Sequence, residues 1–258
     1  MGHNLKDILT FVIPTRIDSE ERLRNLYAVL RWLMPLGCRI LLLEADKKRH
    51  VHLEPLNAKS SIEYSFIQDS NPCFHRTRYI NQLLKAAKTK VVSVWDTDII
   101  ADYSNIHEAV RLIVEQNVTL TYPYNGKYIM LTPDGTLDFL KKNSLEQWEE
   151  KNLASVFKRP FCGGAYFVDK ERYLEIGGEN EFFTGWGPED AERLRRTQIM
   201  GYKTAWTSKG SAFHLWHPRN QNSSYFDETT CIAVRKEFIK ICNMDYQELH
   251  AYINTWNK

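Results

Sequence analysis

The stretch Val91-Val92-Ser93-Val94-Trp95-Asp96-Thr97-Asp98 decides how the chain is read. Its first five residues are mostly apolar and rich in valine, in a run too short for a buried helix. They read as a buried strand. The strand stops on acid. Two carboxylates one residue apart at a strand end can hold a divalent cation that also grips a diphosphate. The same tripeptide also serves as a turn that ends a strand and caps a helix, and taken alone it leaves both readings open.

The sequence before this stretch supplies the frame. Ile8 to Ile13 is a short apolar run closed by Pro14, as expected of a first buried strand. Asp18 or Ser19 can cap a helix carrying Leu23, Leu26, Leu30 and Leu33 at helical spacing. Arg39 to Leu43 and Tyr64 to Gln68 read as strands, Arg76 to Lys88 as a helix, and Lys90 to Trp95 as a fourth strand. Strands alternating with helices predict a mostly parallel sheet covered on both faces. Such sheets bind ligands at the carboxyl ends of their strands. Polar residues stand there: Pro14-Thr15-Arg16, Glu44, Asp69, and Asp96 with Asp98.

After Asp98 the pattern is less regular. Asn105 to Gln116 is expected to be helical, and Leu120 to Tyr124 with Lys127 to Leu131 to form a hairpin around Asn125-Gly126. Leu137 to Leu153 reads as a helix, Phe161 to Val168 as a strand with Gly163-Gly164 inside it, Asp190 to Met200 as a helix, and Thr204 to Trp206 as a short strand. Glu228 to Ile241 and Tyr246 to Trp256 are helical patterns. Residues 1–220 are expected to form one catalytic domain, and residues 221–258 a helical extension packed on it.

Three further groups carry chemistry. His214 and His217 in Phe213-His214-Leu215-Trp216-His217 can point the same way and supply imidazole ligands, although unrelated histidines in an exposed turn give the same spacing. With Asp98 they make a mixed oxygen and nitrogen set suited to Mn²⁺ or Mg²⁺, tilted toward Mn²⁺ by the imidazoles. Gly185-Trp186-Gly187-Pro188-Glu189-Asp190 puts an aromatic ring between glycines and opens a helix with two acids. Those acids can serve as helix caps, or as a general base beside an aromatic sugar platform. Gly163-Gly164 inside a strand weakens it, so either a ligand or another element approaches closely there. Arg16, Arg76 and Arg78 can counter phosphate charge, and singly each also suits a solvated surface.

Composition bounds the rest. The 258 residues are 43% hydrophobic and 26% charged, with a formal net charge of +2, so charge gives nucleic-acid binding no support. Five cysteines without a CxxC pair fit reduced thiols. No transmembrane segment or signal peptide is visible. The expected setting is cytoplasmic, with peripheral contact at the inner membrane face open to it. Tyr225, Phe226, Phe238 and Ile239, among basic residues, could dock the tail on the core, a partner or a membrane.

Taken in order, the blocks resemble the GT-A glycosyltransferases, most closely the β-1,4-galactosyltransferase type. The resemblance rests on Ile13-Pro14-Thr15-Arg16, Phe74-His75-Arg76-Thr77-Arg78-Tyr79-Ile80-Asn81, Asp96-Thr97-Asp98, Phe161-Cys162-Gly163-Gly164 and Gly185 to Asp190. It implies a Rossmann-like nucleotide-diphospho-sugar transferase fold and an inverting, metal-dependent enzyme. The donor would be a UDP-sugar and the acceptor a glycan or glycolipid hydroxyl, in surface polysaccharide synthesis. By resemblance Asp98, His214 and His217 hold the metal, and Asp190 is the base with Glu189 orienting hydroxyls. Pro14, Arg16 and Arg76 would contact the nucleotide, and Trp186 would line the sugar site. Thr15, Glu44, Asp96 and Gly164 complete the expected donor site. Relatives often carry a further acid where Ala191 stands. Two alternatives remain: a nucleotidyltransferase, although Pro14-Thr15-Arg16-Ile17-Asp18 is no Gly-rich basic loop, and a noncatalytic sugar-binding module.

Overall fold

The computed structural model describes residues 4–56, 61–145 and 160–256. A short helix, α1 (Leu5–Ile8), leads into β1 (Leu9–Thr15), whose seven residues are all buried. The helix α2 (Glu20–Leu33) starts where the Ser19 side chain accepts from the Arg22 amide, leaving Asp18 free to bind the Arg22 guanidinium instead. Next come β2 (Arg39–Asp46), β3 (Ile62–Gln68), α3 (Arg76–Ala86) and β4 (Val91–Trp95). β1, β2, β3 and β4 run parallel, in the spatial order 3-2-1-4. β1 sits between β2 and β4, so the strand order reverses beside it. Such a reversal is where sheets of this kind take ligands, at the carboxyl ends of the strands.

The second half completes this sheet and adds a smaller one. β5 (Ile99–Ile100) is followed by α4 (Tyr103–Gln116), β6 (Leu120–Tyr122) and β7 (Lys127–Met130). Then come α5 (Pro133–Lys142), β8 (Ala165–Asp169), α6 (Lys170–Glu175), α7 (Glu189–Ile199), β9 (Thr204–Trp206) and β10 (Ser211–His214). β8 joins β4 antiparallel, and β6 and β9 extend the sheet to seven strands. The result is the expected α/β architecture with a large, mostly parallel sheet. β5, β10 and β7 form a separate three-stranded sheet.

The hairpin expected around Asn125-Gly126 does not form. β6 belongs to the large sheet and β7 to the small one. Gly126, at φ +90°, turns the chain between them, and the backbone groups of this turn bond outside it: Asn125 to the Gly210 carbonyl, and Phe161 to the Gly126 carbonyl. The Asn-Gly pair is a turn signal, but here the turn joins two sheets rather than two paired strands. The helix expected over 137–153 is α5, begun earlier by the Thr132 cap and Pro133; residues 146–153 lie outside the described residues.

The tail forms α8 (Glu228–Cys242) and α9 (Tyr246–Ile253), which pack against α7. Ile241, Leu249 and Ile253 are buried in the same core as the sheet. No helix among the described residues is long and apolar enough to cross a membrane.

Candidate active site

Two short pairings hold the Asp96–Asp98 turn. The Asp96 amide donates to the Gly164 carbonyl (2.8 Å), and the Trp95 indole to the Ile99 carbonyl (2.7 Å). On its far side β5 pairs with β10, setting His214 opposite Ile99, while the Leu215 amide bonds the Asp98 carbonyl (2.8 Å). The small sheet therefore carries the histidines to the acidic turn across more than a hundred residues of sequence.

Asp98, His214 and His217 form a cluster whose candidate ligand atoms all lie within 4.8 Å of one another. The Asp98 carboxylate is 3.1 Å from His217 Nε2 and 3.6 Å from His214 Nε2. Burial pushes the Asp98 carboxyl up, but His214, His217 and Arg22 outweigh it and hold the group well below the usual carboxylate range. Burial pulls His214 down, which favours the neutral imidazole a metal needs. His217 Nδ1 lies 2.8 Å from the Pro218 carbonyl, which braces the ring from behind while Nε2 is turned toward Asp98. The buried His214 Nδ1 has no hydrogen-bond partner among the described residues. A carboxylate held ionised and two imidazoles that turn Nε2 toward it fit a divalent cation of the Mn²⁺ kind.

Asp96 faces elsewhere. Its carboxylate bonds the Arg76 guanidinium, at the first turn of α3. Burial, with Asp98 and Asp190 nearby, pushes the Asp96 carboxyl up against the pull of Arg76. Arg76 itself is held above its ordinary value: burial works against the charge, and Asp96, Asp190 and Glu189 outweigh it. One guanidinium thus sits in the field of both the acidic turn and the acid pair that opens α7.

That acid pair divides its work. Glu189 is buried, its Oε2 has no hydrogen-bond partner among the described residues, and burial followed by the Asp190 charge pushes its carboxyl up. Asp190 is 29% exposed and bonds Arg193 through Oδ1 at 2.8 Å. Gly163 explains the rest of its placement. A Cβ on Gly163 would lie 2.2 Å from Asp190 Oδ2, so only glycine leaves room for the carboxylate. Gly164, at φ +78°, would strike Ile99 with a Cβ at 2.9 Å. The glycine pair is therefore accounted for by close approach of protein elements, and Gly164 acts on the site through its carbonyl bond to Asp96.

The remaining expected residues lie along the same edge. Arg16 spends its guanidinium on the Ala45 and Asn71 carbonyls and the Asp69 carboxylate (2.6 Å), and stacks over Phe74. It borders a cleft of about 210 Å³ with Asp46, Lys47, Asp69 and Gln221. Pro14 and Thr15 are buried at the end of β1, paired with Leu43 and Glu44. Glu44 departs from the expectation of a donor contact. It is fully buried, and its carboxylate accepts from the His50 and Val51 amides and the Tyr64 hydroxyl, so here it shapes the turn after β2. The α3 block also anchors protein: Thr77 bonds the Phe183 carbonyl, and Asn81 bonds Glu179 and Glu181. It fixes the segment leading into Gly185-Trp186-Gly187. Trp186, 42% exposed, meets the Tyr225 ring edge-on at 4.8 Å.

Arg22, Glu179 and Arg193 were absent from the sequence reading. Arg22 bonds Asp18 four residues before it, and it also reaches Asp98 at 3.3 Å and Ser223, two long-range contacts that no local pattern signals. Arg193 had a signal, since it stands three residues after Asp190 on one helix face.

Comparison with known proteins agrees with this geometry. Residues 149–218 match the sequence model of a family described as the N-terminal domain of galactosyltransferase. No curated protein sequence matches the chain significantly. Among solved structures, the catalytic domain of Drosophila β1,4-galactosyltransferase 7 in complex with xylobiose is similar at 17% identity and a TM-score of 0.54, over 93% of this chain and 82% of that one. GalNAc-T7 with UDP, GalNAc and Mn²⁺ is similar at 14% identity and a TM-score of 0.58, over 95% of this chain and 49% of that one, about half its length. The chain has the GT-A fold in its galactosyltransferase-like form, and the matched domain together with that fold supports a glycosyltransferase.

Proposed function

We propose that this chain is a metal-dependent, inverting glycosyltransferase that moves a hexose or N-acetylhexosamine from a UDP-sugar to a glycan or glycolipid hydroxyl. The observation that carries the reading is Arg76, which bonds Asp96 of the acidic turn and lies in the field of Asp190 and Glu189. It ties the candidate metal cluster and the candidate base together at the reversal of the sheet.

Asp98, His214 and His217 would hold a divalent cation whose charge offsets that of the departing diphosphate. The cleft beside Arg16 would take the nucleoside, and Asp96 with Arg76 would orient the ribose or sugar. Asp190 Oδ2 takes the proton of the acceptor hydroxyl as that oxygen attacks the anomeric carbon from the face opposite the diphosphate. Glu189 is read as the neighbour that orients hydroxyls, and Trp186 as a platform for a sugar ring. A place in surface polysaccharide synthesis rests on the sequence resemblance, and a setting in the cytoplasm or at the inner membrane face on the sequence reading.

Incubating the protein with a panel of UDP-hexoses and Mn²⁺ tests the reaction. Free UDP, lost on chelation, is expected. Pyrophosphate would point instead to a nucleotidyltransferase, and no turnover of any donor to a noncatalytic module.

A further inference from the structure

Arg193 is fully buried on α7, yet it touches the more exposed carboxylate of the acid pair, that of Asp190. Its guanidinium makes a forked contact with Glu179, Nε to Oε1 at 2.8 Å and Nη2 to Oε2 at 3.1 Å, and spends Nη1 on Asp190 Oδ1 at 2.8 Å. It also lies 3.8 Å above the Tyr166 ring. Glu179 is held as firmly: the Tyr166 and Tyr173 hydroxyls donate to its Oε1 at 2.5 and 2.6 Å, and its amide donates to Asn81 at 2.8 Å. Burial pushes the Glu179 carboxyl up, but Arg193 and the tyrosine hydroxyls outweigh it and bring it down to about 2. One cation is thus shared between two carboxylates, with the fork on the buried one and a single bond on the exposed one.

We propose that Glu179 and Arg193 are positioning residues for Asp190: Glu179 takes up most of the Arg193 charge, so Arg193 aims the carboxylate without quenching its basicity. The inference rests on reading Asp190 as the base. A lone cation in contact with a carboxylate depresses its proton affinity by about 1–3 pH units, which would weaken a base. Glu179 supplies the counter-charge that prevents this. Arg193 then occupies Oδ1, the gap over Gly163 receives Oδ2, and that second oxygen is left for the acceptor. The other groups acting on Asp190 are Glu189 on its own helix, Arg76 on α3, Asp96 after β4, and the Tyr122, Tyr124 and Tyr128 hydroxyls. None of these is itself replaced in a Glu179 variant, and none bonds Glu179 directly.

The test uses the full chain and needs no donor. Carboxyl-¹³C NMR follows the titration of Asp190, its signal assigned by loss in Asp190→Asn. In Glu179→Gln the Asp190 midpoint is expected to fall by about one pH unit or more. In the double variant Glu179→Gln/Arg193→Met, which removes both buried charges together, it is expected to return to the wild-type value or above it. An unchanged or raised midpoint in Glu179→Gln overturns the proposal. If that variant does not fold, the double variant decides. Its turnover of a UDP-hexose used by the wild type is expected to fall roughly tenfold or more with donor KM unchanged; wild-type turnover overturns the proposal. Failure of the base reading is a separate result, seen as wild-type transfer by Asp190→Asn.

Discussion

At the scale of single residues, the site is built by what is missing as much as by what is present. Gly163 has no side chain because Asp190 Oδ2 occupies that space. Gly163→Ala is expected to push the carboxylate aside while leaving the strand β8 beyond it in register. A misplacement of about 1 Å at a catalytic group can cost on the order of 10²-fold in rate. Steady-state kinetics should therefore show a fall of that size in kcat with unchanged UDP affinity. Asp98, His214 and His217 were legible because acid after a buried strand and imidazoles three apart are chemically conspicuous. Glu44 looked equally well placed at a strand end. Its carboxylate is consumed by two amides and a tyrosine hydroxyl, and strand position cannot reveal such partners.

At the scale of elements, the start of α7 carries a cost that pH exposes. Glu189 lies in its first turn, where the helix dipole favours anions, yet burial and the Asp190 charge push its carboxyl up to about 8. A carboxyl with a raised folded value stabilises the fold most when protonated. That stability is fully present below about pH 4.5 and is lost as pH rises through about 8. Thermal melts are expected to show Tm falling between pH 5 and 9, and Glu189→Gln to flatten the decline. An equal decline in the variant would show that another group is responsible. The parallel strands before Asp96 were readable because a buried strand writes itself as an apolar run. The Asn125-Gly126 turn was misread because a turn signal says where the chain reverses, not which strand it will pair with. The small sheet has the same cause: β5 has two residues, too few for any periodicity.

Across the whole molecule, one core joins the large sheet to the tail helices. Ile241 is fully buried in it, so Ile241→Ala is expected to cost about 2–5 kcal/mol in denaturant unfolding, with one cooperative transition. A separate early transition would mean that the tail folds apart from the rest. Glu179 sets the behaviour in acid. Its carboxyl is held down to about 2, so the stability it contributes is present above about pH 4.5 and lost as pH falls toward 2. The acid unfolding midpoint should therefore move in Glu179→Gln, as circular dichroism can show. The sheet reversal between β1 and β4 was foreseeable from the order of elements, whereas the return of β10 to the acidic turn depends on long-range pairing that sequence periodicity does not carry. The central claim is that Asp98, His214 and His217 join a metal to a nucleoside diphosphate. Calorimetry of UDP binding, with Mn²⁺ and after chelation, in the wild type and Asp98→Asn, tests it most directly. UDP is expected to bind tightly only to the wild type with Mn²⁺; equal binding under all four conditions would contradict the account.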